Sequence, residues 1–295
     1  MDAAVQGALE TALDAAIVSS TRIHGGDVAI AFRVELAGGR RVFAKTHAAP
    51  PPRMFTTEAA SLAWLRAAGE VQVPEVLAVA DPAGHDGGHH PALLALEWVD
   101  QGDGRTGSEE AFGAALARLH LAGSPCFGRE DARPTGSRSL PNDPCTTWAE
   151  FYRERRLLPL ARLARDSAAL PARAVLDLEA VAERLEEVGA ANEAPARLHG
   201  DLWGGNRIVD TSGRSWLIDP SAHGGHREYD LAMMRLFGGF APACFEAYAA
   251  VSPLADGWRE RVPLHQLAPL VIHAIKFGGG YVGAAQAAIA TSLSL

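Results

Sequence analysis

Leu198-His199-Gly200-Asp201-Leu202-Trp203-Gly204-Gly205-Asn206-Arg207-Ile208-Val209, followed by Trp216-Leu217-Ile218-Asp219-Pro220 and Gly225-His226-Arg227-Glu228-Tyr229, is the stretch that decides the fold. Gly200, Gly204 and Gly205 prevent a continuous helix. Arg207-Ile208-Val209 and Trp216-Leu217-Ile218 are β-prone runs on either side of the turn Asp210-Thr211-Ser212-Gly213. The pattern puts Asp201 and Asn206 on one loop and Asp219 at the end of a hairpin's second strand. Taken singly, His199-Gly200-Asp201 reads as an Asx-type turn and Asp219-Pro220 as a strand terminator. Their order and placement together point to chemistry.

Phosphoryl transfer needs these residue types: a carboxylate to accept a hydroxyl proton, and an amide oxygen plus a second carboxylate to hold Mg²⁺ against nucleotide phosphates. The spacing Asp201-x-x-x-x-Asn206 is that of a protein-kinase catalytic loop, and Asp219 falls where the metal-binding Asp of such enzymes lies. Asp201 is therefore assigned as base, and Asn206 and Asp219 as metal ligands. A kinase also needs a lysine upstream. Lys45 and Lys276 are the only lysines in a chain with 27 basic residues, so a correctly placed Lys45 carries weight.

Val28 to Leu36 and Arg41 to Lys45 form two strand patterns joined at Gly38-Gly39. Strand, Gly-rich turn and strand can form a flap over phosphates, with Gly25-Gly26-Asp27 as the preceding turn and Lys45 reaching toward the nucleotide. Period-two alternation puts Phe43 on the Lys45 face, where it is expected near the adenine. A helix follows from Phe55 to Ala68, with Thr56 or Thr57 as N-cap. Glu58, placed in its first turn, suits either the helix dipole or an ion pair with Lys45. Strand patterns at Val71 to Val79 and Pro91 to Val99 flank a loop whose His85, His89 and His90 lack metal-ligand spacing. Glu97-Trp98-Val99-Asp100 then enters a Gly-rich connection to Gly107, read as a hinge where backbone groups near Glu97 and Val99 meet the adenine edge.

Residues 1–17 read as an amphipathic helix, with Val5, Leu9, Leu13 and Ile17 at steps of four. Ser108 caps a helix over 109–122 with Phe112, Leu116 and Leu119 facing inward and His120 packed or capping. Residues 123–146 look like a long surface loop of the kind that forms lids. Helical patterns continue at Trp148 to Leu163, Ala172 to Val188, Asp230 to Phe237, Phe245 to Val251 and Val262 to Val282, the last interrupted by Gly278-Gly279-Gly280.

Composition excludes several classes. The 295 residues are 48% hydrophobic and 21% charged, ordinary for a globular protein of one large domain or two lobes. A net charge of −8 leaves no basic stripe for nucleic acid. No run of about 18 apolar residues suggests a membrane span. Cys126, Cys145 and Cys244, odd in number and far apart, suit buried thiols in a reducing compartment. The expectation is a cytoplasmic protein with no nucleic-acid or membrane partner, either monomer or homodimer.

With Lys45, Glu58, Asp201, Asn206 and Asp219 in kinase order, the chain resembles the kinase-like superfamily that includes aminoglycoside phosphotransferases. More narrowly it resembles the fructosamine kinase, or ketosamine 3-kinase, family. That match rests on His199 to Asn206, on Gly225-His226-Arg227-Glu228-Tyr229-Asp230-Leu231-Ala232, on Gly25-Gly26-Asp27, on Phe43-Ala44-Lys45 and on Trp148 with Phe151-Tyr152-Arg155-Arg156-Leu157. The tryptophan inside the catalytic loop is its most specific piece.

The resemblance implies an α+β, two-lobed protein-kinase-like fold: a small N-terminal lobe, residues 1–99, with an antiparallel sheet and one helix, and a larger, mainly helical C-terminal lobe, residues 100–295. It implies ATP and Mg²⁺ as cofactors and phosphorylation of a ketosamine at O3, which makes a glycation adduct labile. Trp203 would stack on substrate, His199 would join it, and Glu228 and Asp230 would brace the segment after Asp219 by bonds to backbone and Arg227. The rivals are a kinase for an aminoglycoside or other amino-alcohol, and a pseudokinase binding module. No arginine precedes Asp201 and no Asp-Phe-Gly is present, so control by activation-loop phosphorylation is not expected.

Overall fold

The computed structural model describes residues 1–23, 29–82, 91–102, 107–136, 138–188 and 193–295. The chain divides into two compact units: Met1–Ser108 with Ile208–Pro220, and Glu109–Arg207 with Ser221–Leu295. The first unit therefore runs past residue 99 and takes the 208–220 hairpin with it.

The first unit is built on a five-stranded antiparallel sheet in the order β1-β2-β3-β5-β4, with β1 (Ile17–Ile23), β2 (Ile30–Leu36), β3 (Arg41–His47), β4 (Val76–Ala80) and β5 (Ala92–Glu97). It carries two helices, α1 (Ala3–Leu13) and α2 (Met54–Arg66), rather than one. Val5 and Leu9 of α1 bury against Val34, Leu36, Val42, Ala44, Leu93 and Ala95 on one face of the sheet. Asp2 caps α1 by accepting from the Ala4 and Val5 amides at 2.9 and 3.0 Å, and Asp14 ends it in the left-handed region at φ 50°. Ile17, read as the last helical leucine-type position, is thus the first residue of β1, paired with Leu36.

Alternation along β3 sends Val42 and Ala44 into that core and Phe43 and Lys45 to the other face. The N-cap residue of α2 is Arg53, in the left-handed region at φ 61°, with no side-chain cap bond of its own. The carboxylate of Asp81 supplies the cap instead, accepting from the Phe55 and Thr56 amides at 2.9 and 3.0 Å. Neither Thr56 nor Thr57 is the N-cap, and Glu58 lies beyond the first turn. In the hairpin formed by β7 (Arg207–Val209) and β8 (Ser215–Leu217), Asp210 folds the turn by accepting from Ser212 N, Arg214 N and Trp216 Nε1 at 2.8, 3.0 and 2.9 Å. The Leu217 amide donates to the Gln72 carbonyl and the Gly102 amide to Val209, which ties the hairpin into the first unit.

The second unit is mainly helical: α3 (Ser108–Leu121), α4 (Trp148–Tyr152), a π turn (Arg153–Leu157), α5 (Leu158–Asp166), α6 (Ala172–Glu183), α7 (Leu185–Val188), α8 (Glu228–Phe237), α9 (Pro242–Val251), α10 (Val262–Phe277) and α11 (Gly280–Leu293). Its core packs α5, α6, α10 and α11 around Phe151, Tyr152, Leu160, Leu178, Leu267 and Val271. Gly278 and Gly279, both at positive φ, split the long C-terminal pattern into two helices. The 123–146 segment is not a loose surface loop. Phe127, Leu140, Asn142 and Cys145 are buried, and Gly128 exchanges both backbone bonds with Gly224 at 2.8 Å. Among the described residues, no helix is long and apolar enough to cross a membrane.

Candidate active site

In the first unit, Lys45 is 11% exposed and its ammonium sits between two carboxylates, bonding Glu58 Oε1 at 2.9 Å and Asp219 Oδ1. Strand β3 supplies the lysine, α2 the glutamate, and the turn after β8 the aspartate. Burial pulls the Lys45 ammonium toward deprotonation, but the charges of Glu58 and Asp219 outweigh it and hold its pKa above the ordinary lysine value. Burial raises the Glu58 carboxyl; Asp219 adds to that while Lys45 opposes it. Asp219 has φ 53° and precedes Pro220, a position that favours extended backbone. Its surroundings hold it in a conformation of about 1 kcal/mol strain or more, as is common where a side chain must be aimed at chemistry.

Phe43 lies on the same face, its ring centroid 5.9 Å from the Lys45 ammonium. The Glu97 amide donates to the Glu75 carbonyl at 2.9 Å, and its carboxylate accepts from the Glu75 amide at 3.2 Å. Glu97 therefore has no backbone N–H to offer a base edge. Val99 is half-buried beside it. Gly25 and Gly26, expected over the phosphates, and the loop histidines His85, His89 and His90 lie outside the described residues.

In the second unit, the Asp201 loop leaves β6 (Ala196–Leu198), which pairs with β9 (His223–Gly225). Gly200 is required here: its φ is 79°, and a Cβ would come within 2.2 Å of the Ser221 carbonyl. The Asn206 carboxamide Nδ2 donates to the Asp201 carbonyl at 2.8 Å and to its Oδ2 at 3.2 Å. That fixes the amide's orientation, with Nδ2 on the Asp201 side. The Asp219 carboxylate in the first unit and the Asn206 amide oxygen in the second are each hard donors of the kind that suit Mg²⁺.

Asp230, at the start of α8, anchors this loop. It is fully buried and accepts from the His199 and Gly200 amides at 2.7 and 2.9 Å. His120 Nε2 lies 3.2 Å from the same carboxylate, and His120 Nδ1 is 2.7 Å from the Tyr248 hydroxyl. Burial works to raise the Asp230 carboxyl, but the His120 bond, the charges of His120 and His199 and the Gly200 amide leave it below the usual range. Asp230 was expected to brace the segment after Asp219 by bonds to backbone and Arg227; its bonds do go to backbone, but to the His199-Gly200 loop. The missed signal was an acidic residue inside the apolar run Tyr229 to Met234, where only a satisfied carboxylate is tolerated.

Two further placements differ from expectation. His199 is fully buried, and its Nδ1 accepts the Asp201 amide at 3.2 Å, so it shapes the loop instead of touching substrate. Glu228 pairs with Arg261 at 2.6 Å, while Arg227 pairs with Glu193 at 2.6 Å. Glu228, His226 and His265 form a buried cluster with metal-ligand chemistry. However, His226 Nδ1 accepts the Glu228 amide at 3.2 Å, which puts the proton on Nε2, and Arg261 occupies the carboxylate. That cluster is polar core. Trp203, in contrast, is 41% exposed, edge-on to Phe237 at 6.3 Å between centroids, so it is a surface ring and not a core tryptophan.

A family model described as fructosamine kinase matches residues 1–295. The ketosamine-3-kinase of Mus musculus is 34% identical over 275 residues, covering 82% of this chain and 85% of the mouse protein. A crystal structure classed as a fructosamine-3-kinase from Thermobifida fusca YX-ER1 superposes with a TM-score of 0.88 at 36% identity, covering 99% of each chain. An aminoglycoside phosphotransferase, APH(4)-Ia, shares the fold at a TM-score of 0.66 and 13% identity, covering 98% of this chain and 99% of that one.

Proposed function

Because the chain belongs to the fructosamine kinase family, we propose that it transfers the γ-phosphoryl group of ATP to O3 of a ketosamine and so makes a glycation adduct labile. The observation that carries this reading is the buried Lys45 ammonium held between Glu58 and Asp219. A structural ion pair needs one carboxylate. A second, on a strained aspartate, suits a site where that carboxylate is later drawn to a cation while Glu58 keeps the lysine in place.

Lys45 neutralises phosphate oxygens, Phe43 and the backbone at Val99 meet the adenine, and Asn206 and Asp219 hold Mg²⁺. When bound, Mg²⁺ supplies charge neutralisation on the transferring phosphoryl group. Asp201 accepts a hydrogen bond from the O3 hydroxyl, orients it toward the γ-phosphorus and takes its proton as the new O–P bond forms. Trp203 presents its face to the sugar and to the secondary ammonium of the adduct. Because the transition state is loose, positioning and charge neutralisation account for most of the acceleration.

The test is ATP consumption on fructose-, ribulose- and erythrulose-derived lysine adducts, with an aminoglycoside alongside and the phosphorylated position located by NMR. Turnover of the aminoglycoside alone, or a phosphate on another oxygen, would overturn the substrate or the position. Lys45→Met should lower kcat/KM for ATP by about 10²-fold or more, the scale of losing a charge that acts on the transferring group. Its circular dichroism should stay native; a variant within threefold of wild type would remove Lys45 from the site.

A further inference from the structure

A cleft of about 580 Å³ opens in the second unit between the end of α8, α9 and the 253–259 segment, a size that suits a small ligand. Phe240, Phe245 and Trp258 form its apolar walls, and Arg235, Arg259 and Glu246 its polar groups. Both guanidinium groups lie over the same indole, Arg235 at 5.7 Å and Arg259 at 5.1 Å from the Trp258 centroid, with Arg235 also 5.8 Å from the Phe245 ring. Among the described residues, neither arginine is ion-paired, and neither is Glu246. A guanidinium held over an aromatic face leaves N–H groups free of the ring, and these can donate to a carboxylate. Two like charges on one ring also repel, and an anion set between them removes that repulsion.

The cleft is joined to the catalytic loop by backbone. Gly238 lines it, and the Gly238 carbonyl accepts the Gly204 amide at 3.1 Å, one residue beyond Trp203. Gly239 lies so close that a Cβ there would come within 2.6 Å of the Gly204 Cα. The cleft thus borders, through Gly238, the backbone of the loop that carries Trp203 and Asp201.

We propose that this cleft binds the free amino-acid end of an Nε-ketosyl-lysine, the α-carboxylate between Arg235 and Arg259 and the α-ammonium at Glu246, with the butyl chain along the aromatic wall. This rests on the ketosamine kinase reading and deepens it: the preferred acceptor is a free glycated lysine. A lysine within a protein has neither α-charge, since both groups are amides.

Nε-fructosyl-lysine and its Nα-acetyl, C-amide derivative separate the two cases by steady-state kinetics and by calorimetric titration. The free adduct should show a KM and a Kd about tenfold lower than the blocked one, the summed scale of two solvent-exposed ion pairs, one at each α-charge. Arg259→Gln and Arg235→Gln should each erase that difference, with kcat and the blocked adduct's KM unchanged. Equal KM for both adducts in the wild type, or an arginine variant that weakens both alike, overturns the proposal. Should no ketosamine be phosphorylated, the functional reading falls, and the titration still decides the cleft. A Kd for the free adduct lost in Arg259→Gln upholds the cleft, and absence of binding ends it.

Discussion

Asp201→Asn is expected to lower kcat by about 10²–10⁴-fold, the range of a general base, and to leave Mg·ATP affinity within a factor of about three. The substitution keeps shape and nearly keeps the loop. Asn206 Nδ2 donates to Asp201 through both its carbonyl and Oδ2, and an asparagine side-chain oxygen can accept the second bond as the carboxylate does. What it cannot do is take the acceptor's proton. Single-turnover rates with a confirmed ketosamine, set beside titration of Mg·ATP, separate the two effects. A variant that keeps a tenth or more of wild-type turnover would show that the proton leaves by another route, and Asp201 would then only orient the acceptor.

Much of the placement of these side chains was legible because it follows local rules. The Asp201 to Asn206 spacing lies on one glycine-broken loop, and strand alternation alone sends Lys45 and Phe43 away from the core face occupied by Val42 and Ala44. Glu58 had two readings of equal standing, dipole partner or lysine partner. The structure decides for Lys45 because Asp81, far away in sequence, already caps α2 and leaves Glu58 past the first turn. His199 was misjudged for a related reason. A histidine beside a catalytic aspartate has the chemistry for contact with substrate, and only the tertiary fold shows its ring fully buried and turned to the Asp201 amide.

The fold was legible wherever periodicity matched one element and was misread where it ran across a boundary. Val5, Leu9, Leu13 and Ile17 keep a helical spacing, but Asp14 takes a left-handed conformation and the chain turns into an edge strand whose Ser19, Ser20 and Thr21 are exposed. No apolar alternation marks such a strand, because neither of its faces is buried. The 123–146 segment was misread in the opposite direction. Its Gly, Pro and Ser content suggests a surface loop, yet Phe127, Leu140 and Cys145 bury into the second unit's core, and backbone bonds from Gly128 to Gly224 hold it beside β9.

Asp230 is where removing one side chain should do most damage to the fold and to the loop together. Asp230→Ala leaves the His199 and Gly200 amides and one nitrogen of His120 without their acceptor, all of them buried. Stranding a set of buried partners costs about 3–5 kcal/mol, which for a chain of this size lowers Tm by roughly 6–20 °C. Asp230→Asn is the sharper variant. Its carbonyl oxygen can serve one amide, but its NH₂ must then face the other, so a loss of about 1.5–3 kcal/mol is expected together with a fall in kcat. The carboxyl is held below the ordinary aspartate range, so its contribution is fully present above about pH 4 and is lost as the pH falls through the folded-state value. The stability gap between wild type and Asp230→Asn, measured by urea unfolding, should therefore be constant at neutral pH and narrow in acid. A gap under about 0.5 kcal/mol at pH 7, or one that widens in acid, would show that the loop does not depend on this carboxylate, and His120 and Tyr248 would lose their place in its support.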